Sequence, residues 1–122
     1  MAGYREEAFK IVFRRKCKAE EEAQLRHDRV AAEHPELIQL EQQMAQTAMA
    51  GVRAAVAGRP ADEVKRCRDQ NLALQEQRGQ LLQSLGLPVH CFEPQYHCAR
   101  CQDTGRADGK VCSCVRQLER EM

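Results

Sequence analysis

The chain has 122 residues, of which 30% are charged and only 4% are aromatic, and it has no tryptophan. This length allows at most one ordinary domain, and the shortage of aromatic side chains argues against a globular core of normal density. The formal net charge of +1 excludes a strong overall attraction to nucleic acid. We predict a cytoplasmic protein without a membrane partner, because the sequence lacks a membrane-spanning apolar segment and a signal peptide.

A long first helix is predicted over residues 4–33, within a helical region that covers residues 1–86. Its second half is almost wholly charged, which is typical of a solvated helix. We therefore predict that His27 and His34 are exposed. The first half carries an apolar cluster that either packs on the rest of the chain or forms a surface for a partner: Tyr4, Phe9, Ile11, Val12 and Phe13.

Two further helices are predicted over residues 35–57 and 61–85, separated by the break Gly58-Arg59-Pro60. The third helix has an imperfect seven-residue apolar pattern, with Asn71 and Arg78 at positions that are apolar in a strict coiled coil. Because a short connection between helices of similar length makes them antiparallel, the sequence predicts a helical hairpin.

After a predicted linker over residues 87–97, four cysteines form a C-x2-C-x10-C-x-C array: Cys98, Cys101, Cys112 and Cys114. Two close pairs of thiolates can complete a tetrahedral shell around one structural zinc ion. Asp108-Gly109 lies between the pairs and is a two-residue β-hairpin signal. The predicted fold is therefore mainly α, with an antiparallel helical hairpin and a small zinc-bound β-hairpin module at 98–114. Two disulfides or four unrelated thiols are the alternatives.

The other cysteines and the nearby histidines leave one alternative for the metal site. Cys17 and Cys67 lie within helical patterns, where free cysteine packs as a small apolar residue. His90, Cys91 and His97 lie just before the array, and one of them can replace an expected ligand. A complete four-thiolate shell leaves no open coordination position, so we predict no catalytic site.

Beyond the array, residues 115–122 begin another amphipathic pattern, with Val115, Leu118 and Met122 at three- and four-residue steps. A helix of this length is marginal alone in water. We therefore expect that the natural protein continues into a further domain. The alternative is a frayed natural C-terminus.

The cysteine segment resembles part of a known protein family. It reads Tyr96-His97-Cys98-Ala99-Arg100-Cys101-Gln102-Asp103-Thr104-Gly105 and then Gly109-Lys110-Val111-Cys112-Ser113-Cys114. This order resembles the N-terminal region of bacterial and phage replicative helicase loaders of the DnaC/DnaI type. Their pattern is Tyr-x-Cys-x-x-Cys-x-Asp-Thr-Gly, a short gap and Gly-x-x-Cys-x-Cys. The helices before it match only in kind, since they are charged and rich in Ala, Glu and Arg.

The resemblance implies a primosome component in DNA replication, whose N-terminal part grips the hexameric replicative helicase. The ATPase half of these loaders contains a Gly-x4-Gly-Lys-Ser/Thr loop, which this sequence lacks. The resemblance therefore implies a helicase-interaction module that is not itself an enzyme.

Two other functions are compatible with a zinc module. A nucleic-acid-binding zinc ribbon is one, but residues 87–122 carry five basic and five acidic side chains, so single-stranded DNA should bind weakly at most. A chaperone-like zinc adaptor is the other, because Cys-x-x-Cys-x-x-x-Gly resembles the repeats of J-domain co-chaperones. Those proteins have several such repeats and a His-Pro-Asp motif, whereas this chain has one array and His34-Pro35-Glu36.

Overall fold

The computed structural model describes the backbone of residues 2–122 and the side chains of residues 3–122. Within this range the chain forms four helices and one two-stranded sheet: α1 (Ala2–Glu33), α2 (Pro35–Val56), α3 (Ala61–Ser84), β1 (Arg106–Ala107), β2 (Lys110–Val111) and α4 (Ser113–Glu121). The predicted fold class is confirmed: the chain is mainly α, with a helical hairpin and a small antiparallel β-hairpin beside a group of four cysteines. None of the described helices is long and apolar enough to cross a membrane.

The chain divides into two compact units, and α1 contributes to both of them. One unit combines residues 2–26 with residues 92–122, and we call it the cysteine unit. The other comprises residues 27–91, and we call it the hairpin unit.

The hairpin unit is organised by antiparallel packing of α2 and α3. Arg78 donates to Glu41 at 3.2 Å, and the Asn71 amide donates to the carbonyl of Met44 at 2.7 Å and to Thr47 Oγ1 at 2.9 Å. The partner on α2 lies later in the sequence as the residue on α3 lies earlier, so the two helices are antiparallel. Asn71 and Arg78 interrupt the apolar pattern, and both find polar partners on α2, which satisfies their hydrogen-bonding groups where they are partly buried. The buried apolar residues of the pair are Leu37, Ala54 and Leu82.

The predicted exposure of His27 and His34 is wrong, because both are half-buried. His27 Nε2 lies 2.6 Å from a carboxylate oxygen of Glu41 on α2. This hydrogen bond raises the pKa of His27 above its ordinary value, against the opposing effect of burial. The sequence pattern treated the end of α1 as a solvated helix, whereas its last turns belong to the hairpin unit.

The two helical cysteines also differ from each other. Cys17 was predicted to pack but is exposed. At about 100° per residue, it lies on the face opposite to the buried positions of α1. Cys67 is half-buried in the hairpin, where a methyl group added to Gly51 would lie 3.4 Å from its Cβ. The buried positions of α1 are Ala8, Val12, Ala19 and Ala23.

Candidate metal centre

The β-hairpin sets the position of the second cysteine pair in the sequence, Cys112 and Cys114. Arg106 pairs with Val111, and Ala107 pairs with Lys110, so the predicted residues Asp108-Gly109 form the two-residue turn. Their φ angles are +54° and +74°, and a type I′ turn requires positive φ at both positions. β2 then ends directly before Cys112, which is the residue that precedes the first turn of α4.

The first pair, Cys98 and Cys101, lies on a tight turn that is held by a buried carboxylate. The N–H of Gln102 donates to the carbonyl of Cys98 at 2.8 Å, and both Gln102 and Asp103 adopt the left-handed conformation. Asp103 is 2% exposed, and its carboxylate accepts hydrogen bonds from the backbone N–H groups of His97 and Cys98, each at 2.9 Å. Asp103 therefore fixes the backbone that carries Cys98, which offsets the strain of the turn.

These two turns bring the four cysteine sulfurs together. Cys98 Sγ lies 3.8 Å from Cys112 Sγ, and Cys101 Sγ lies 3.6 Å from Cys114 Sγ. The four sulfurs all lie within 4.8 Å of one another, so the group can hold a metal ion. Cys101 and Cys112 are buried, whereas Cys98 and Cys114 are half-buried.

The alternative ligands are not part of this group. Among the described residues, the cluster consists of the four cysteines and contains no histidine or carboxylate. His97 is next to Cys98 in sequence, but its Nδ1 lies 3.3 Å from a guanidinium nitrogen of Arg15. Since a guanidinium can only donate, Nδ1 of His97 is the acceptor in this contact.

The thiols of Cys112 and Cys114 have different environments. A backbone hydrogen bond from Cys114 lowers the pKa of the Cys112 thiol to about 7, against the opposing effect of burial. Burial raises the pKa of the Cys114 thiol. Of these two thiols, Cys112 is therefore the one that the protein itself favours as a thiolate. A divalent cation stabilises the other thiolates, and its binding releases protons.

The cysteine unit has a small apolar core that joins α1 to α4. Ala8 and Val12 of α1 are buried together with Val115 of α4. Partly buried apolar residues surround this core: Phe9, Val111, Cys114 and Leu118. The N-terminal apolar cluster therefore divides between two environments, because Val12 and Phe9 pack in this unit whereas Tyr4 and Phe13 are 54% and 62% exposed.

The ring of Phe9 lies against Gly105, between the two cysteine pairs in the sequence. A Cβ atom built on Gly105 would lie 2.5 Å from Cε1 of Phe9, and Gly105 has a φ of +81°. The guanidinium of Arg106 lies 5.4 Å from the centroid of the Phe9 ring, which is within cation–π range. Arg5 forms an ion pair with Glu119 of α4 in the same unit. The glycine of the Asp-Thr-Gly sequence thus provides space for the aromatic ring.

Asp103→Asn should weaken the cysteine unit, because an asparagine amide has one acceptor oxygen where two N–H groups converge. The amide nitrogen would face a donor, and a buried unsatisfied donor costs about 1–3 kcal/mol. The zinc affinity, measured by competition with a chromophoric chelator, should decrease. The unfolding temperature of the metal-loaded chain should decrease as well. Asp108→Asn is the matched control, since the side chain of Asp108 is 87% exposed. Equal zinc affinities for the two variants would contradict a positioning role for Asp103.

No protein-family model, curated protein or solved structure matches this chain.

Proposed function

We propose that the four cysteines hold one structural zinc ion. The spacing of the sulfurs carries this proposal. A regular tetrahedron with zinc–sulfur bonds of about 2.3 Å has sulfur–sulfur edges of about 3.8 Å. The closest pairs here are 3.6 and 3.8 Å apart, whereas a disulfide requires about 2.05 Å. Four thiolates complete the zinc shell, so the ion stabilises the fold and does not bind a substrate.

On this framework, we propose that the chain is the helicase-interaction module of a replicative helicase loader, acting in the primosome and in the cytoplasm. The order of residues from Tyr96 to Cys114 supports it. The structural roles of the Asp-Thr-Gly residues add support, because Asp103 holds the first cysteine pair and Gly105 admits Phe9. The 122 residues contain no Gly-x4-Gly-Lys-Ser/Thr loop, so they should neither bind nor hydrolyse ATP.

The charge around the metal centre favours this proposal over a nucleic-acid-binding zinc ribbon. A guanidinium nitrogen of Arg100 lies 3.9 Å from a carboxylate oxygen of Asp108, and Arg106 lies over the ring of Phe9. These basic groups already have partners on the protein. Residues 87–122 also carry five acidic side chains against five basic ones, so the attraction to phosphate that nucleic-acid binding needs is weak.

The test is direct mixing of the zinc-loaded chain with the cognate hexameric replicative helicase. We expect a complex that elutes from gel filtration ahead of the helicase alone, with no ATP turnover by the chain. Single-stranded DNA is the second arm, and it should bind poorly at physiological salt. Failure to bind the helicase, together with DNA binding that weakens steeply with salt, would overturn the loader proposal in favour of the zinc ribbon.

A further inference from the structure

A cavity of about 340 Å³ lies beside the four cysteines, within the cysteine unit. Cys98 and Cys114 line this cavity and are half-buried, whereas Cys101 and Cys112 are only 6% and 2% exposed. One cysteine of each pair therefore faces the cavity, and the other is enclosed by the protein. A small molecule that enters the cavity meets Cys98 and Cys114 first.

Most of the other residues around this cavity can form hydrogen bonds. They are Arg15, His97, Ser113, Gln117, Leu118 and Glu121. A guanidinium nitrogen of Arg15 lies 3.3 Å from Nδ1 of His97, and this contact positions a cationic donor at the cavity. One water molecule takes up about 30 Å³ in the liquid, so a cavity of this size admits a molecule as small as hydrogen peroxide. The cavity thus suits a small hydrogen-bonding molecule.

Each sulfur that faces the cavity also contacts an enclosed sulfur of the other pair. Cys98 Sγ lies 3.8 Å from Cys112 Sγ, and Cys114 Sγ lies 3.6 Å from Cys101 Sγ. Cysteines that respond to peroxide are typically accessible and lie next to a second cysteine that resolves them. We propose that the metal centre is a peroxide-reactive site, at which Cys98 and Cys114 are oxidised and then form disulfides with Cys112 and Cys101. This inference rests on the proposed zinc site and adds a modification that empties it.

The oxidation proceeds in two steps at each couple of cysteines. The Cys98 thiolate attacks one oxygen of hydrogen peroxide, so that an S–O bond forms, the O–O bond breaks and hydroxide leaves. The Cys112 thiolate then attacks the sulfur of this sulfenic acid, so that the S–S bond forms and a second hydroxide leaves. A second peroxide oxidises Cys114 and Cys101 in the same way. Each couple of sulfurs closes to about 2.05 Å, and no thiolate is left to hold zinc.

Treatment of the zinc-loaded chain with hydrogen peroxide tests this proposal, and the zinc content measured beforehand tests the proposed zinc site by itself. After treatment, a chromophoric chelator should detect the release of the bound zinc. Peptide mapping by mass spectrometry should find the disulfides Cys98–Cys112 and Cys101–Cys114, and a thiol reductant with added zinc should restore the metal-loaded chain. Zinc that stays bound, or disulfides within each pair (Cys98–Cys101 and Cys112–Cys114), would overturn the proposal.

A substitution in the cavity lining tests the route by which peroxide reaches the sulfurs. Gln117 is exposed and lines the cavity, so Gln117→Trp places a large side chain there. This variant should bind zinc as the parent does but release it several-fold more slowly in peroxide. Arg116→Trp is the matched control, because Arg116 is exposed on the same helix and, among the described residues, is outside the cavity lining. Equal rates of zinc release in the two variants would overturn the cavity as the route of entry.

Discussion

Cys112→Ser should abolish tight zinc binding and unfold the cysteine unit. Cys112 is 2% exposed and lies between the β-hairpin and α4, so its loss removes a ligand from the centre of the unit. Structural zinc contributes about 10–16 kcal/mol of apparent binding free energy in small zinc domains. That amount exceeds what the small apolar core around Val12 and Val115 can supply alone. Elemental analysis should show loss of zinc, and proteolysis should cleave the C-terminal segment rapidly.

The control for this experiment is Cys17→Ser, because Cys17 is exposed and lies outside the cysteine group. It should retain one zinc ion per chain and the stability of the parent. Much of the helical circular dichroism should also persist in Cys112→Ser, since α2 and α3 belong to the hairpin unit. Full zinc content in Cys112→Ser would refute the ligand assignment.

Gly105→Ala should destabilise the cysteine unit by about 2–5 kcal/mol. An L-residue at a φ of +81° costs about 1–2 kcal/mol. The new methyl group would also lie 2.5 Å from the ring of Phe9, so the ring or the backbone must shift. Overpacking of this kind costs about a further 1–3 kcal/mol. Thermal unfolding of the metal-loaded chain measures the loss.

Gly109→Ala separates the two contributions. Gly109 has a φ of +74°, but a Cβ built there meets nothing within 4 Å. It should therefore show only the conformational cost of about 1–2 kcal/mol. Phe9→Leu combined with Gly105→Ala should regain part of the packing loss. Equal destabilisation by the two glycine substitutions would show that the approach of Phe9 is unimportant.

Local patterns account for the features that the sequence predicted well. The three long helices follow from apolar periodicity and from breaks at His34-Pro35 and Gly58-Arg59-Pro60. The β-hairpin follows from Asp108-Gly109, because two positive φ angles are needed between strands that pair directly. Each of these depends on residues that are close together in the chain.

The sequence-based predictions were incomplete or wrong for features that depend on residues far apart in the chain. The environment of His27 is set by Glu41 on the next helix, and the exposure of Cys17 depends on which face of α1 packs. Nothing near Phe9 in the sequence indicates that Gly105 lies against it. The Asp-Thr-Gly sequence can be read from the chain, but the convergence of two N–H groups on Asp103 is visible only in three dimensions.

X-ray absorption at the zinc edge on the purified, reduced chain tests the central claim most directly. We expect one zinc ion per chain with four sulfur neighbours at about 2.3 Å. Cys17→Ser should give the same spectrum, since that residue lies outside the group. A shell that contains nitrogen would assign a ligand role to a histidine such as His97, and a chain without zinc would contradict the metal centre.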